Sequence, residues 1–414
     1  MTAPPVGGGR EFFRTLPVAE ALSGFRPPPL TRTETVPRDQ ARGRVPSAPV
    51  VSSTALPGFA RSTVDGYAVR AADTYGSGDG LPTYLELAGA VRMGSAADVV
   101  VRPGSAVQIP TGAAIPSQAD AVVMVEHTQL TTPGLVEVTR PVAVGDGIVR
   151  SDEDVAIGDV VAPAGRPLRA QDLGLLAAVG VSAVPVLARP RVAIVSTGDE
   201  VVPPGTAQLA VGQVRDATAS ALAALVEDAG GEPQLCGIVP DDVGALTRTL
   251  ASAVADCDLV VVSAGSSVGA RDETTSAVTA LPESSVFCHG LAVKPGKPTL
   301  LAECSGVPVV GLPGNPLSAL VVFRLVGMPL VHGLAGITSP PREPTVQARL
   351  SRSVASAGGR LDVVQVRLDG EHAAPLFGHS ALLSLLTRAD GYVVVPEAAT
   401  GLDEGASVTV TLYG

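Results

Sequence analysis

The sequence predicts a multidomain α/β-plus-β protein, with a central, doubly wound, mostly parallel sheet flanked by smaller β domains. Three observations carry that prediction. At 414 residues the chain exceeds what one ordinary core supports, so two to four domains are expected. From Arg191 onward, short apolar runs alternate with helical segments, the texture of a parallel sheet with helices on both faces. On either side of that region lie short alternating segments, rich in Val, Gly and Pro before it, as in small β domains.

The elements follow in order. The first residues, MTAPPVGGGRE, lack a basic start and an apolar stretch, so they read as a flexible tail rather than a signal peptide. Leu16 to Phe25 (LPVAEALSGF) reads as a short helix before a proline-rich break, and residues 60–146 as a small β domain containing Leu135 to Thr139 (LVEVT). Ala170 to Val179 is helical by composition, with Gly180 as its stop. Val192 to Ser196 (VAIVS), Leu259 to Ser263 (LVVVS) and Val307 to Leu312 (VPVVGL) are continuous apolar runs, as in strands buried on both faces. Between the first two lie helices at Ala217 to Ala229, ended by Gly230-Gly231, and at Asp242 to Ala255, opened by acidic caps. After the third run, Asn315 and Pro316 form an N-cap and first-turn pair for a helix from Leu317. Ser339 to Pro344 (SPPREP) is a linker, and Val408 to Leu412 (VTVTL) belongs to a terminal β domain.

Composition narrows the function. The chain is 46% hydrophobic and 17% charged, which is globular, and its net charge of −11 argues against general nucleic-acid binding. Small anionic ligands need only a local positive pocket. Cys236, Cys257, Cys288 and Cys304 show no C-x-x-C spacing, so free thiols in a reducing cytosol are expected rather than disulfides or a zinc site. The apolar runs Leu173 to Ala188 and Leu317 to Leu330 contain Pro185, and Arg324 with Pro329, so no membrane span is expected.

In a parallel sheet, ligands bind beyond the carboxyl ends of the strands. The three buried runs end there in Ser196 to Glu200 (STGDE), Gly265 to Asp272 (GSSVGARD) and Leu312 to Pro316 (LPGNP). Glycines in such loops admit close backbone approach, and following helices aim free N–H groups at the rim. Just before the third run, Gly290 to Leu301 (GLAVKPGKPTLL) reads as a shaped loop whose Lys294 and Lys297 could meet an anion held there. Glu200, Asp241 and Asp272 would gather at the same rim, where a hard cation such as Mg²⁺ could bridge them to ligand oxygens. Plainer readings compete: Asp241 or Asp242 as a helix cap, Asp272 as the cap of a helix near Thr274, Glu200 and the lysines as solvated loop residues, Ser62 to Gly66 as a turn. Their joint placement on one rim favours a site. No phosphate-binding G-x-x-x-x-G-K-[ST] or dinucleotide G-x-G-x-x-G pattern occurs, and the lysines and rim glycines fit electrostatic handling of a phosphate or oxyanion.

Six blocks, in order from Leu16 onward, resemble the molybdopterin molybdenumtransferases, the MoeA family that includes the gephyrin E domain. They are LPVAEAL, Ser62 to Arg70 (STVDGYAVR), Ile109 to Glu126 (IPTGAAIPSQADAVVMVE), Arg191 to Glu200 (RVAIVSTGDE), Val293 to Pro298 (VKPGKP) and Gly311 to Ala319 (GLPGNPLSA). The resemblance implies a discontinuous elongated domain (14–58 and 147–189), a β domain inserted in it (59–146), a molybdopterin-binding-like α/β domain (190–338) and a C-terminal β-barrel (339–414). It implies homodimers that use molybdate and adenylylated molybdopterin, release AMP and are assisted by Mg²⁺. It carries over Asp65 and Thr111 as contributions from across the dimer, and Glu200, Asp241 and Asp272 as the acids around metal and nucleotide. Lys294 and Lys297 become anion holders, and Gly314 and Asn315 shape the third loop. With the rim loops, the cofactor-binding set is Thr111, Ser196, Thr197, Gly198, Gly265, Ser267, Gly269, Pro313, Gly314 and Asn315. The sequence departs from the family pattern at Ala264, Ser266, Glu273, Asp152 and Leu385. A gephyrin-like scaffold that reuses the fold to bind a protein partner is the alternative reading.

Overall fold

The computed structural model describes residues 15–263 and 268–413, the side chains of 268–272 excepted. The expected N-terminal tail, Gly265, Ser267, the departures Ala264 and Ser266, and the side chain of Asp272 lie outside the described residues.

The central elements, numbered in chain order, are strands β1 (Arg191–Thr197), β2 (Glu232–Val239), β3 (Leu259–Ser263), β4 (Ser284–His289), β5 (Leu300–Cys304) and β6 (Val307–Leu312). They form one six-stranded sheet in the order β2-β1-β3-β6-β5-β4. The first four strands run parallel; β5 runs antiparallel to both its neighbours, β6 and the edge strand β4. Apolar runs lie where they do because both faces are covered. Val192 and Ile194 pack on one face with Leu222 and Val226 of helix α1 (Thr218–Asp228). Ala193 and Val195 pack on the other with Leu246 and Leu250 of helix α2 (Val243–Asp256) and Ala277 and Val278 of helix α3 (Val268–Thr279). Side chains that alternate between two buried faces leave no polar positions in the strand. At α2 the Asp242 side chain accepts the N–H of Ala245 at 2.6 Å, an N-cap as the sequence suggested.

The helical run from Pro316 to Leu334 widens into a π-type turn at Phe323–Gly327. It is long and apolar enough by composition to span a membrane, but 61% of it is buried against the sheet, the first helix (Val18–Gly24) and α1, as a core helix is.

Before the central region, Gly66–Val69, Thr83–Ala90, Ser105–Ile109, Ala121–Met124, Thr128–Thr132 and Leu135–Val138 form a second six-stranded sheet. The segments flanking it pair with each other: Thr33–Pro37 with Ala183–Leu187, Val50–Val51 with Val160–Ala162, and Arg61–Ser62 with Ile148–Val149. Beyond the linker, Leu361–Asp369, His372–Pro375, Thr345–Leu350, Ser407–Leu412 and Gly391–Val395 close into a five-stranded barrel.

Four readings of the sequence need correction. The lysine segment is not wholly a loop. Val293–Lys294 is a short strand that pairs in parallel with Leu361 and Asp362 of the barrel, and β5 intervenes between it and β6. The loop read as running to Asp272 ends earlier, because α3 starts at Val268, so Asp272 sits within the helix and cannot cap it. Asn315 occupies the N-cap position of the Pro316–Val322 helix without capping it; its amide Nδ2 donates instead to Ser380 Oγ at 2.9 Å. Strands β2, β4 and β5 were not read as strands: β2 and β4 are half-exposed sheet edges, and β5 follows directly on the lysine segment. Of the departures, Asp152 has φ 65°, the left-handed backbone that glycine adopts without strain.

Candidate active site

The parallel register decides where the strand tips lie. Ser196 pairs with Ser263 and Ser263 with Leu312, while Thr197 pairs with Val239. The loops at 198–200, 240–241 and 313–315 therefore leave the sheet along one edge, with β1 and β6 two strand spacings of ~5 Å apart.

One half of that edge is acidic. Gly198 has φ 137°, and a Cβ there would meet Glu200 Oε2 at 2.7 Å, so glycine lets the Glu200 carboxylate fold back over the chain. Asp199 Oδ1 accepts the N–H of Asp241 at 3.2 Å. Asp241 Oδ1 is sealed from solvent without a hydrogen-bond partner. Burial, then the charges of Asp199 and Glu200, hold the Asp241 carboxyl above the usual carboxylate range. Glu273 is raised as well, by desolvation first and then by Asp241, Asp199 and Asp242. An orphaned carboxylate oxygen among like charges is what a hard, oxygen-seeking cation relieves, so these residues fit Mg²⁺ chemically. Among the described residues no group of three or more acids is arranged to hold a metal, and the third member called from sequence, Asp272, has its side chain outside them.

Ser196 and Thr197 are buried. The Ser196 hydroxyl donates to Asp216 Oδ2 at 2.6 Å, and Asp216 Oδ1 accepts the N–H of Ala219 in α1. This hydroxyl thus points into the protein and ties α1 to β1. Asp216 escaped the sequence reading, although an acid before a helical run is a capping signal.

The other half is cationic. A cleft of about 740 Å³ opens between the tip of β6, the lysine segment and the barrel, lined among others by Lys294, Lys297, Pro313, Gly314, Asn315 and Arg360. Lys294 Nζ lies 3.6 Å from Asp362 Oδ2, and the exposed Lys297 ammonium has no ion pair among the described residues. Gly296, between the lysines, has φ 126°, and a Cβ there would lie 2.3 Å from Val322 Cγ2. The cleft is also walled by His379 and Ser380, and by Leu385, one of the departures from the family pattern. Glu200 and Asp241 lie along the same sheet edge but do not line this cleft. Arg360, Asp362, His379 and Ser380 were missed from sequence, since only the folded barrel brings them to the lysines.

The remaining pair sits on the inserted sheet. Asp65 precedes Gly66–Val69, Thr111 follows Ser105–Ile109, and the antiparallel partners Gly66 and Ile109 set them side by side. Asp65 Oδ1 accepts both the backbone N–H of Thr111 at 2.7 Å and its Oγ1 hydroxyl at 2.9 Å. These bonds, the backbone one foremost, hold the exposed Asp65 carboxyl below its ordinary value. Thr111→Val keeps the N–H and removes the hydroxyl, so the Asp65 carboxyl titration followed by NMR should move upward. A titration left in place would show that the hydroxyl does not charge-stabilise it.

Comparison with known proteins agrees with this architecture. Residues 16–180 match the MoeA N-terminal region (domain I and II), 193–333 the probable molybdopterin binding domain, and 347–413 the MoeA C-terminal region (domain IV). Molybdopterin molybdenumtransferase 2 of Mycobacterium tuberculosis is 36% identical over 95% of this chain and 96% of its own. The Nostoc molybdopterin molybdenumtransferase is 34% identical over 91% of this chain and 88% of its own. The crystal structure of the molybdopterin biosynthesis MoeA protein from Pyrococcus horikoshii superimposes with a TM-score of 0.84 at 32% identity, covering 97% of this chain and 100% of that one. With matches that take in each described region and relatives above 30% identity along nearly its whole length, the chain belongs to the MoeA family.

Proposed function

We propose that this protein is a molybdopterin molybdenumtransferase of molybdenum cofactor biosynthesis, inserting molybdate into adenylylated molybdopterin with release of AMP. The observation that carries the reading is a lysine-lined cleft at the tips of a parallel sheet, in a chain whose net charge is −11. Local cations in an acidic protein select small anions rather than polyanionic surfaces.

The chemistry is positioning. Lys294 and Lys297 hold anionic oxygens of molybdate and of the substrate's pyrophosphate in the cleft, next to the backbone of Pro313, Gly314 and Asn315. Thr197, Gly198, Gly265, Ser267 and Gly269 shape the nucleotide side of the rim. Glu200, Asp241 and Asp272 would hold Mg²⁺. That ion, when bound, offsets negative charge on the departing AMP. The reading includes a homodimer in which Asp65 and Thr111 of one subunit reach the rim of the other, and a cytoplasmic enzyme, in keeping with the four free thiols. Purified protein given adenylylated molybdopterin, molybdate and Mg²⁺ should release AMP and yield cofactor that activates an apo-molybdoenzyme. No AMP, under conditions where a related MoeA protein produces it, would overturn the reading. The relatives' names favour this transferase over a scaffold.

Asp241→Asn separates catalysis from folding. A carboxyl raised in the folded state binds its proton more tightly there, so its stabilising contribution is present at low pH. It is lost as pH rises through the raised value. The Asn variant should lose that slope, and without Mg²⁺ at neutral pH its Tm should equal or exceed that of the parent. Its Mg²⁺-dependent AMP release should fall by about 100-fold. A lowered Tm with activity kept would make Asp241 a structural cap.

A further inference from the structure

We propose that Asp362 is a positioning residue for oxyanion binding, one buried carboxylate that aims both Lys294 and Arg360 into the cleft. The inference rests on the proposed function only in taking the cleft as the place where molybdate is held.

Asp362 is 3% exposed, yet it lies on the strand Leu361–Asp369 at the position that pairs with Lys294. Its Oδ1 accepts Arg360 Nε at 2.8 Å, and its Oδ2 lies 3.4 Å from Arg360 Nη2 and 3.6 Å from Lys294 Nζ. The two cationic side chains remain 36% and 57% exposed, and both line the cleft. The acid is therefore inside and the cations are at the surface it supports.

Two physical consequences follow. Lys294, Lys297 and Arg360 are like charges sharing one cleft, and without an acid behind them they would spread into solvent. Asp362 is the one acid among the described lining residues, so three cations against one carboxylate leave the cleft net positive. That is the charge balance an oxyanion needs, with the cations already held before it arrives. A buried carboxylate also costs more than an exposed pair returns, so its retention calls for a reason beyond surface pairing. A purely structural reason competes: the same carboxylate could only tie the lysine segment to the barrel.

The test is a mutant cycle on the full-length protein. It reads molybdate Kd by calorimetry, molybdate KM and kcat by AMP release, and Tm. Asp362→Asn should raise Kd and KM for molybdate about tenfold, with kcat within about threefold of the parent. In a Lys294→Met/Arg360→Met background the same change should add less than about twofold, because the groups it acts through are gone. Asp362→Glu, which keeps the charge but moves it, should fall between. Unchanged molybdate Kd in Asp362→Asn, or a tenfold cost that persists in the double background, would overturn the proposal. If Asp362→Asn does not fold, Asp362→Glu decides: parent-like Kd overturns it, raised Kd at parent-like Tm supports it. A parent protein that binds molybdate without releasing AMP contradicts the transferase reading alone, and the Kd cycle still decides Asp362. One that binds no molybdate overturns both.

Discussion

Lys297→Ala is expected to lower kcat/KM for molybdate by about 100-fold or more, as loss of a charge aimed at a bound anion does in a partly enclosed site. Lys294 has Asp362 as a partner, whereas Lys297 has no ion pair among the described residues and an exposed side chain facing the same cleft. Among the described residues nothing consumes its charge. Removing it should therefore leave Tm within about a degree or two of the parent, since exposed substitutions rarely move stability. Lys297→Arg keeps the charge but replaces a compact ammonium with a planar fork, so activity should be intermediate. Steady-state AMP release with molybdate varied, alongside thermal melts, checks both parts. Unaltered kinetics in Lys297→Ala would leave it a solvated loop residue.

The second large effect falls on the glycine between the lysines. Gly296→Ala places a Cβ 2.3 Å from Val322 Cγ2 and 3.2 Å from Val293 Cγ1, at a backbone φ of 126°. Val322 is fully buried in the core shared by the sheet, the first helix and the barrel, so it has little room to retreat. Backbone strain and overpacking together should cost about 2–5 kcal/mol. The relief available is movement of the 293–298 segment, which carries both lysines. The variant should thus lose stability and raise the molybdate KM together. Gly212→Ala is the control: it has φ 92° with nothing within 4 Å of its Cβ, so only the backbone cost applies. Equal Tm losses for the two variants would show that the contact with Val322 is unimportant.

The three apolar runs could be read as strands because each is covered on both faces, and Leu259–Ser263 and Val307–Leu312 have the bounds the sequence suggested. The edge strand β2 hid behind Pro233, Gly237 at φ 84° and a largely exposed burial pattern. The acidic loops could be placed on one rim, because strand–helix alternation fixes which end of the sheet they leave, whereas the lysine segment reaches that rim through the antiparallel strand β5, which sets Leu300 opposite Gly311 of β6. What sequence could not place was the barrel's share. Val293–Lys294 is a strand only because Leu361–Asp369 lies beside it, and Arg360, Asp362 and Ser380 meet the lysine cleft only once the barrel closes. Such long-range pairings leave no local periodicity to read. The Asp65–Thr111 pair came from family resemblance, with no local pattern linking two residues at the ends of separate strands.

The most direct measurement is an anomalous difference map at the molybdenum edge from crystals soaked in molybdate. A peak within hydrogen-bonding reach of both the Lys294 and Lys297 ammonium groups, in the cleft facing Asn315 and Arg360, is the expected result. Anomalous density found only elsewhere, with that cleft empty in a protein that still turns over, would contradict the assignment of the cleft as the oxyanion site.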